Sequence, residues 1–85
     1  MRRAGRVDAS AKELIATAKA CGCQWLPWPN GPIDGVLWQP SRQRLALVDF
    51  KSATGRKTAR QLWLEADGWP ILFLRTIDDV VSAMQ

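Results

Sequence analysis

The run VDFKSATGRKTARQLW places an acid and a lysine two positions apart, Asp49 and Lys51, and another acid, Asp34, precedes Asp49 by fifteen positions. In an extended chain Leu45, Leu47, Asp49 and Lys51 share one face, while Ala46, Val48 and Phe50 take the other. Both faces are therefore apolar until the C-terminal end of the run, where one of them turns charged. If 34–39 and 44–51 form a hairpin closed by the loop PSRQ, Gln39 faces Arg44, Val36 faces Leu47, and Asp34 falls opposite Asp49. Directly opposed side chains have Cβ atoms about 4.5–5.5 Å apart. Two carboxylates at about 5 Å repel by roughly 3 kcal/mol at an effective dielectric near 20. A favourable cross-strand pair contributes only ~0.2–1 kcal/mol. The compensation is a proton, Lys51 or a divalent cation. Hard cations such as magnesium take a few carboxylate oxygens and complete their shell with water and substrate phosphate. A one-residue change of register would separate the two acids.

The elements that must position these groups are legible in outline. SAKELIATAKA opens on Ser10 with Glu13 three residues on, a capping box, and sets Leu14, Ile15, Ala18 and Cys21 near one face of a helix that Gly22 stops. CQWLPW reads as a short edge strand, since Pro27 and Pro29 are excluded from a sheet centre. A turn at NGP separates it from the hairpin. Thr58 to Asp67 is a second helix, with a Thr58–Gln61 capping box and Gly68 behind it. PILFLR, 70–75, is apolar on both faces, which is the pattern of a central parallel strand. IDDVVSAM closes the chain as a short helix over the sheet. The order helix, three strands, helix, strand, short helix predicts an α/β fold with a mixed central sheet.

Eighty-five residues make one domain, 10–85, behind a basic N-terminal arm, 1–9. The apolar content, 47%, is globular, and the longest apolar runs fall far short of the ~20 residues of a membrane helix. The arm lacks the apolar centre of a secretion signal, so a cytoplasmic domain is expected. Twelve Lys and Arg against eight acids give a net charge of +4, which favours a polyanionic partner. Cys21 and Cys23 stand without any histidine in the chain, and two thiolates alone do not close a zinc site. They are expected to be packing residues in a reducing compartment.

Asp34 in PIDGVL, the Asp49-Phe50-Lys51 strand end, Gln61 two residues before Trp63, and the acid Glu13 in the first helix together resemble the PD-(D/E)xK nuclease superfamily. Within it, the chain is most similar to the virus-type replication-repair nuclease (VRR-NUC) group, over about residues 10–76. The strand motif has Asp49 where that group more often has Glu. The resemblance implies a restriction-endonuclease-like core and a metal-dependent endonuclease that hydrolyses DNA phosphodiesters. It implies Asp34, Asp49 and the backbone carbonyl of Phe50 as ligands of Mg2+, with Mn2+ as a substitute. Lys51 would orient the attacking water or neutralise developing charge, and Gln61 would help hold the nucleophile. Glu13 would lie near the metal. Standalone members are often phage-encoded homodimers acting on branched DNA such as Holliday junctions, in repair or recombination.

Each role has a simpler rival. Lys51 is placed to bridge to Asp49, while Gln61 and Glu13 are both placed to close capping boxes. Arg56, Lys57 and Arg60 follow the charged strand and open a helix, a place suited to holding a DNA phosphate or to a solvated loop. Five tryptophans would stack on bases if exposed, but a small domain is expected to bury most of them, with Trp28 as the exposed candidate. The competing functions are a non-catalytic DNA-binding module that keeps the fold, and a basic interaction domain that binds no metal.

Overall fold

The computed structural model describes residues 10–85, and the basic arm expected over 1–9 lies outside them. The order is α1 (Ala11–Ala20), β1 (Gln24–Pro27), β2 (Gly35–Gln39), β3 (Arg44–Phe50), α2 (Ala59–Ala66), β4 (Ile71–Leu74) and α3 (Ile77–Met84). The protein is a small α/β domain with one four-stranded mixed sheet, ordered β1-β2-β3-β4. No helix among the described residues is long and apolar enough to cross a membrane.

Both expected capping boxes form. Ser10 Oγ accepts the Glu13 N–H, and the Glu13 carboxylate accepts the Ser10 N–H. Thr58 and Gln61 do the same for α2. A third box, Thr76 with Asp79, starts α3. Each satisfies helix N–H groups that would otherwise have no partner, an effect of about 1 kcal/mol per cap.

β1, β2 and β3 form an antiparallel meander, and β4 returns through α2 to pair parallel with β3. Val36 faces Leu47 and Gln39 faces Arg44, the register expected from the sequence. The turn at 40–43 is a single 3-10 turn ending on Gln43 in the left-handed region, φ 49°. β4 corrects one expectation, because it is an edge strand and not a central one. It is apolar throughout because both of its faces are covered. Leu72 and Leu74 turn to the main core, Ile71 turns to the α2 side, and among the described residues no strand pairs with its outer edge.

α1 and α3 pack together over one face of the sheet. The core there joins Leu14 and Ala18 of α1, Leu37, Val48 and Leu74 of the strands, and Val80 of α3. Each fully buried aliphatic side chain contributes roughly 1.5–3 kcal/mol. Cys23 is buried in this core against Met84, its Sγ 3.1 Å from the Met84 Sδ, and both cysteines are free thiols. Gln39 and Arg44 at the hairpin end donate to the carbonyls of Met84 and Ala83, closing the C-terminus of α3. α2 lies on the other face, where Leu64 shares a cleft with Leu47 and Ile71. That face is less completely covered, and Leu26 and Leu45 remain largely exposed.

The tryptophans depart from expectation. Trp28 is half-exposed as expected, but so is Trp69, and Trp63 is 77% exposed on α2. With α1 and α3 both on one side, only Trp25 of the five packs against the main core.

Candidate active site

Asp34 lies one residue before β2, but the ladder geometry holds it on both sides. Its carbonyl accepts the Trp28 N–H at 2.9 Å, and its carboxylate Oδ2 accepts the Phe50 N–H at 2.8 Å. Gly35 makes this possible: a Cβ there would stand 2.3 Å from the Leu26 carbonyl oxygen. Only glycine lets β1 approach β2 so closely beside the acid.

Asp49 sits on the α2 face of β3, 6% exposed, where it makes an ion pair with Lys51 at 2.9 Å. The ladder ends with Gly35 opposite Val48, and one further step in the same register would set Asp34 opposite Asp49. Their charges are offset by different groups, a backbone N–H for Asp34 and the Lys51 ammonium for Asp49. Lys51 continues the parallel ladder, its N–H donating to the Leu74 carbonyl.

Gln61 is 2% exposed and serves two structures at once. Its Oε1 accepts the Thr58 N–H at 3.0 Å, closing the cap, and its Nε2 donates to the Pro32 carbonyl at 2.8 Å. The side chain thus fastens α2 to the segment that leads into Asp34. Glu13 is exposed and engaged in its capping box, and the Ser10 backbone and hydroxyl hydrogen bonds hold its carboxyl below the usual range. The structure brings Asp34, Asp49, Phe50 and Lys51 together, with Gln61 one tie away. Glu13 is not gathered with them: among the described residues no group of three or more His, Cys, Asp or Glu is placed to hold a metal ion.

The basic loop divides. Arg56 and Arg60 are exposed, with no protein partner among the described residues. Lys57 is bound to both oxygens of Glu65, at 2.9 and 3.0 Å, and lies over the Phe73 ring at 4.5 Å.

Two residues that sequence reasoning passed over belong to the site's frame. Phe73 pairs with Asp49 across the parallel ladder, and its ring lies under the ammonium groups of both Lys51 and Lys57. Arg75 donates to the carbonyls of Ser52 and Gly55, bracing the loop that leaves the site. In sequence Phe73 reads as core and Arg75 as a strand-end charge. Only the pairing of β4 with β3 reveals them.

Chemically, the cluster offers two carboxylates and one ammonium at the C-terminal end of a strand. An oxygen-only donor set of two carboxylates fits a magnesium-like ion, which keeps several waters of its own. Comparison of the chain with protein-family models, with curated proteins and with solved structures returns no match.

Proposed function

We propose that the protein is a divalent-metal-dependent DNA endonuclease with a restriction-endonuclease-like core, as its resemblance to the VRR-NUC group implies. The observation that carries this reading is the joining of Asp34 to the Asp49-Phe50-Lys51 strand end through the Phe50 N–H. A structural salt bridge alone has no need of Asp34, whereas a bound divalent cation is well served by two acids, with a cationic side chain beside them for the charge that develops.

Asp34, Asp49 and the Phe50 carbonyl would hold Mg2+ or Mn2+. Such an ion supplies a more acidic bound water and stabilises charge on a phosphate oxygen. Lys51, held by Asp49, keeps its ammonium beside the place where that charge develops. Gln61 holds the Asp34 segment against α2 and so acts through position. Arg56 and Arg60 contact DNA phosphates. One site cuts one strand, so a homodimer acting on branched DNA is the form of the activity we favour.

The test is incubation of linear, flapped and four-way DNA with chelator, Mg2+ or Mn2+. Cleavage that needs the metal and fails in Asp49→Asn is expected, with the four-way DNA cut best. Absence of cleavage of every DNA in both metals contradicts the enzyme reading. The completed Lys51–Asp49 pair favours the second reading, a non-catalytic DNA-binding module. That reading predicts binding through Arg56 and Arg60 without any metal-dependent cut.

A further inference from the structure

Beside the acidic cluster, on the same face of the sheet, lies a cleft of about 140 Å³ whose lining is wholly apolar. Ile33, Leu47, Ile71 and the α2 residue Leu64 form its floor and wall, and Trp28 and Trp69 also line it. Both indoles are half-exposed, 49% and 53%. The floor adjoins the site directly. Ile33 precedes Asp34, and the Leu47–Ile71 pair is one same-face row, about 6–7 Å, from the Asp49–Phe73 pair.

Trp28 is fixed in place. Its N–H donates to the Asp34 carbonyl, and its ring packs on Gly31 so closely that a Cβ there would come within 2.6 Å of it. The backbone bond fixes where the residue sits, and the packing on Gly31 fixes the ring. Pro32 and Leu64 are shared with a second hollow lined by Arg60 and the exposed Trp63. That hollow therefore sets an aromatic ring and a guanidinium beside the cleft, with the acid Asp67 also in its lining.

We infer that this cleft takes an unpaired nucleobase of the strand whose phosphate lies at Asp34 and Asp49. The inference rests on the nuclease reading and extends it to single-stranded or locally unpaired nucleic acid. A planar neutral base is matched by an apolar cleft whose lining includes two half-exposed indoles, since stacking accepts any base. A flanking phosphate is matched by Arg60 of the adjoining hollow. A second copy of the chain is the rival occupant, and the homodimer proposed above would then be joined through this face.

The experiment uses the full chain and single-stranded oligonucleotides with one abasic position, scanned along the strand. Binding is followed by tryptophan fluorescence in chelator, and cleavage of the same set is followed in Mn2+. One abasic position should weaken binding about tenfold, the loss of one base–aromatic stack. Trp69→Leu and Trp28→Leu should weaken binding of the intact strand comparably and abolish the abasic penalty. Gly31→Ala, which displaces the Trp28 ring without removing it, should give a partial loss. Binding indifferent to every abasic position in the wild type overturns the inference, whether or not the variants fold. So does a light-scattering mass that falls from two chains to one in Trp69→Leu, since the cleft would then hold a second copy. Base-dependent binding without cleavage would sink the nuclease reading and leave the cleft, and cleavage with base-indifferent binding would do the reverse.

Discussion

The Phe50 N–H donates to the Asp34 carboxylate at 2.8 Å, joining the segment before β2 to the last residue of β3. One step further along β3, Lys51 reaches back to Asp49 at 2.9 Å. Two acids that would repel if left alone are thereby given separate partners. Lys51 and an incoming cation would compete for the same Asp49 carboxylate.

That competition makes Lys51→Ala informative. The ion pair is largely withdrawn from water, its side chains 11% and 8% exposed, so removing the ammonium leaves a poorly solvated charge on Asp49. Loss of one partner of a buried pair costs about 3–5 kcal/mol, and partial exposure places this one toward the lower figure. In chelator the variant should melt lower than the wild type, and Mn2+ should restore more stability to it than to the wild type. DNA binding should survive while cleavage is lost. Parallel loss of binding and cleavage would remove Lys51 from the transition state.

Gln61→Glu separates the cap from the tie. A carboxylate still accepts the Thr58 N–H, but it has no proton to donate to the Pro32 carbonyl. Leaving that buried position mismatched should cost about 1–3 kcal/mol in chemical unfolding. A substitution without effect on stability would mean that the Pro32 bond contributes nothing.

Glu13→Gln should leave cleavage intact, because the side chain is occupied at the start of α1. Its carboxyl is held low by hydrogen bonds from Ser10, the backbone one first. A depressed carboxyl contributes stability above its unfolded value of about 4.3, and that contribution fades as pH falls through the folded value. The melting difference between wild type and Glu13→Gln should therefore be present near neutrality and shrink in acid. Lost cleavage with unchanged melting would give Glu13 back to the chemistry.

Neutralising Arg56 or Arg60 should weaken binding to all DNAs alike and lower the slope of log affinity against log salt by about one each. Lys57→Gln should change the slope less, since Glu65 already neutralises that lysine. Equal effects at all three positions would show that the Glu65 pair opens on binding.

Much of this arrangement is legible in the sequence. The register of the β2–β3 hairpin followed from loop length and alternation, and the two S/T-x-x-E/Q boxes marked their helix starts. The third box was missed because Asp79, not Glu or Gln, stands at its third helical position. β4 was misplaced because a strand covered on both faces looks the same at an edge as at a centre. Gln61 posed a choice between cap and site that sequence left open, and the side chain has two ends and uses both. A small domain's need for large apolar groups predicts that most of the tryptophans are buried, but Trp63 and Trp69 are exposed because the helix layer over α2's face of the sheet is incomplete. The clustering of Phe73 with Lys51 and Lys57 depends on a parallel pairing across the α2 crossover, which no local pattern encodes.

The central claim is that Asp34 and Asp49 hold one divalent cation between them, and thermal melting tests it most directly. Wild type and Asp34→Asn are melted in chelator and in Mn2+ at tenfold excess over its dissociation constant. Asparagine keeps an acceptor for the Phe50 N–H, so the substitution removes the charge and spares the bond. Binding confined to the folded state stabilises by about 1.4 kcal/mol at that excess. For a domain of this size that is a rise of roughly 6–11 °C. The account predicts this rise in the wild type, its near-complete loss in Asp34→Asn, and a metal-free Asp34→Asn at least as stable as the metal-free wild type. An Asp34→Asn protein that melts lower in chelator and still gains the full increment in Mn2+ would contradict it.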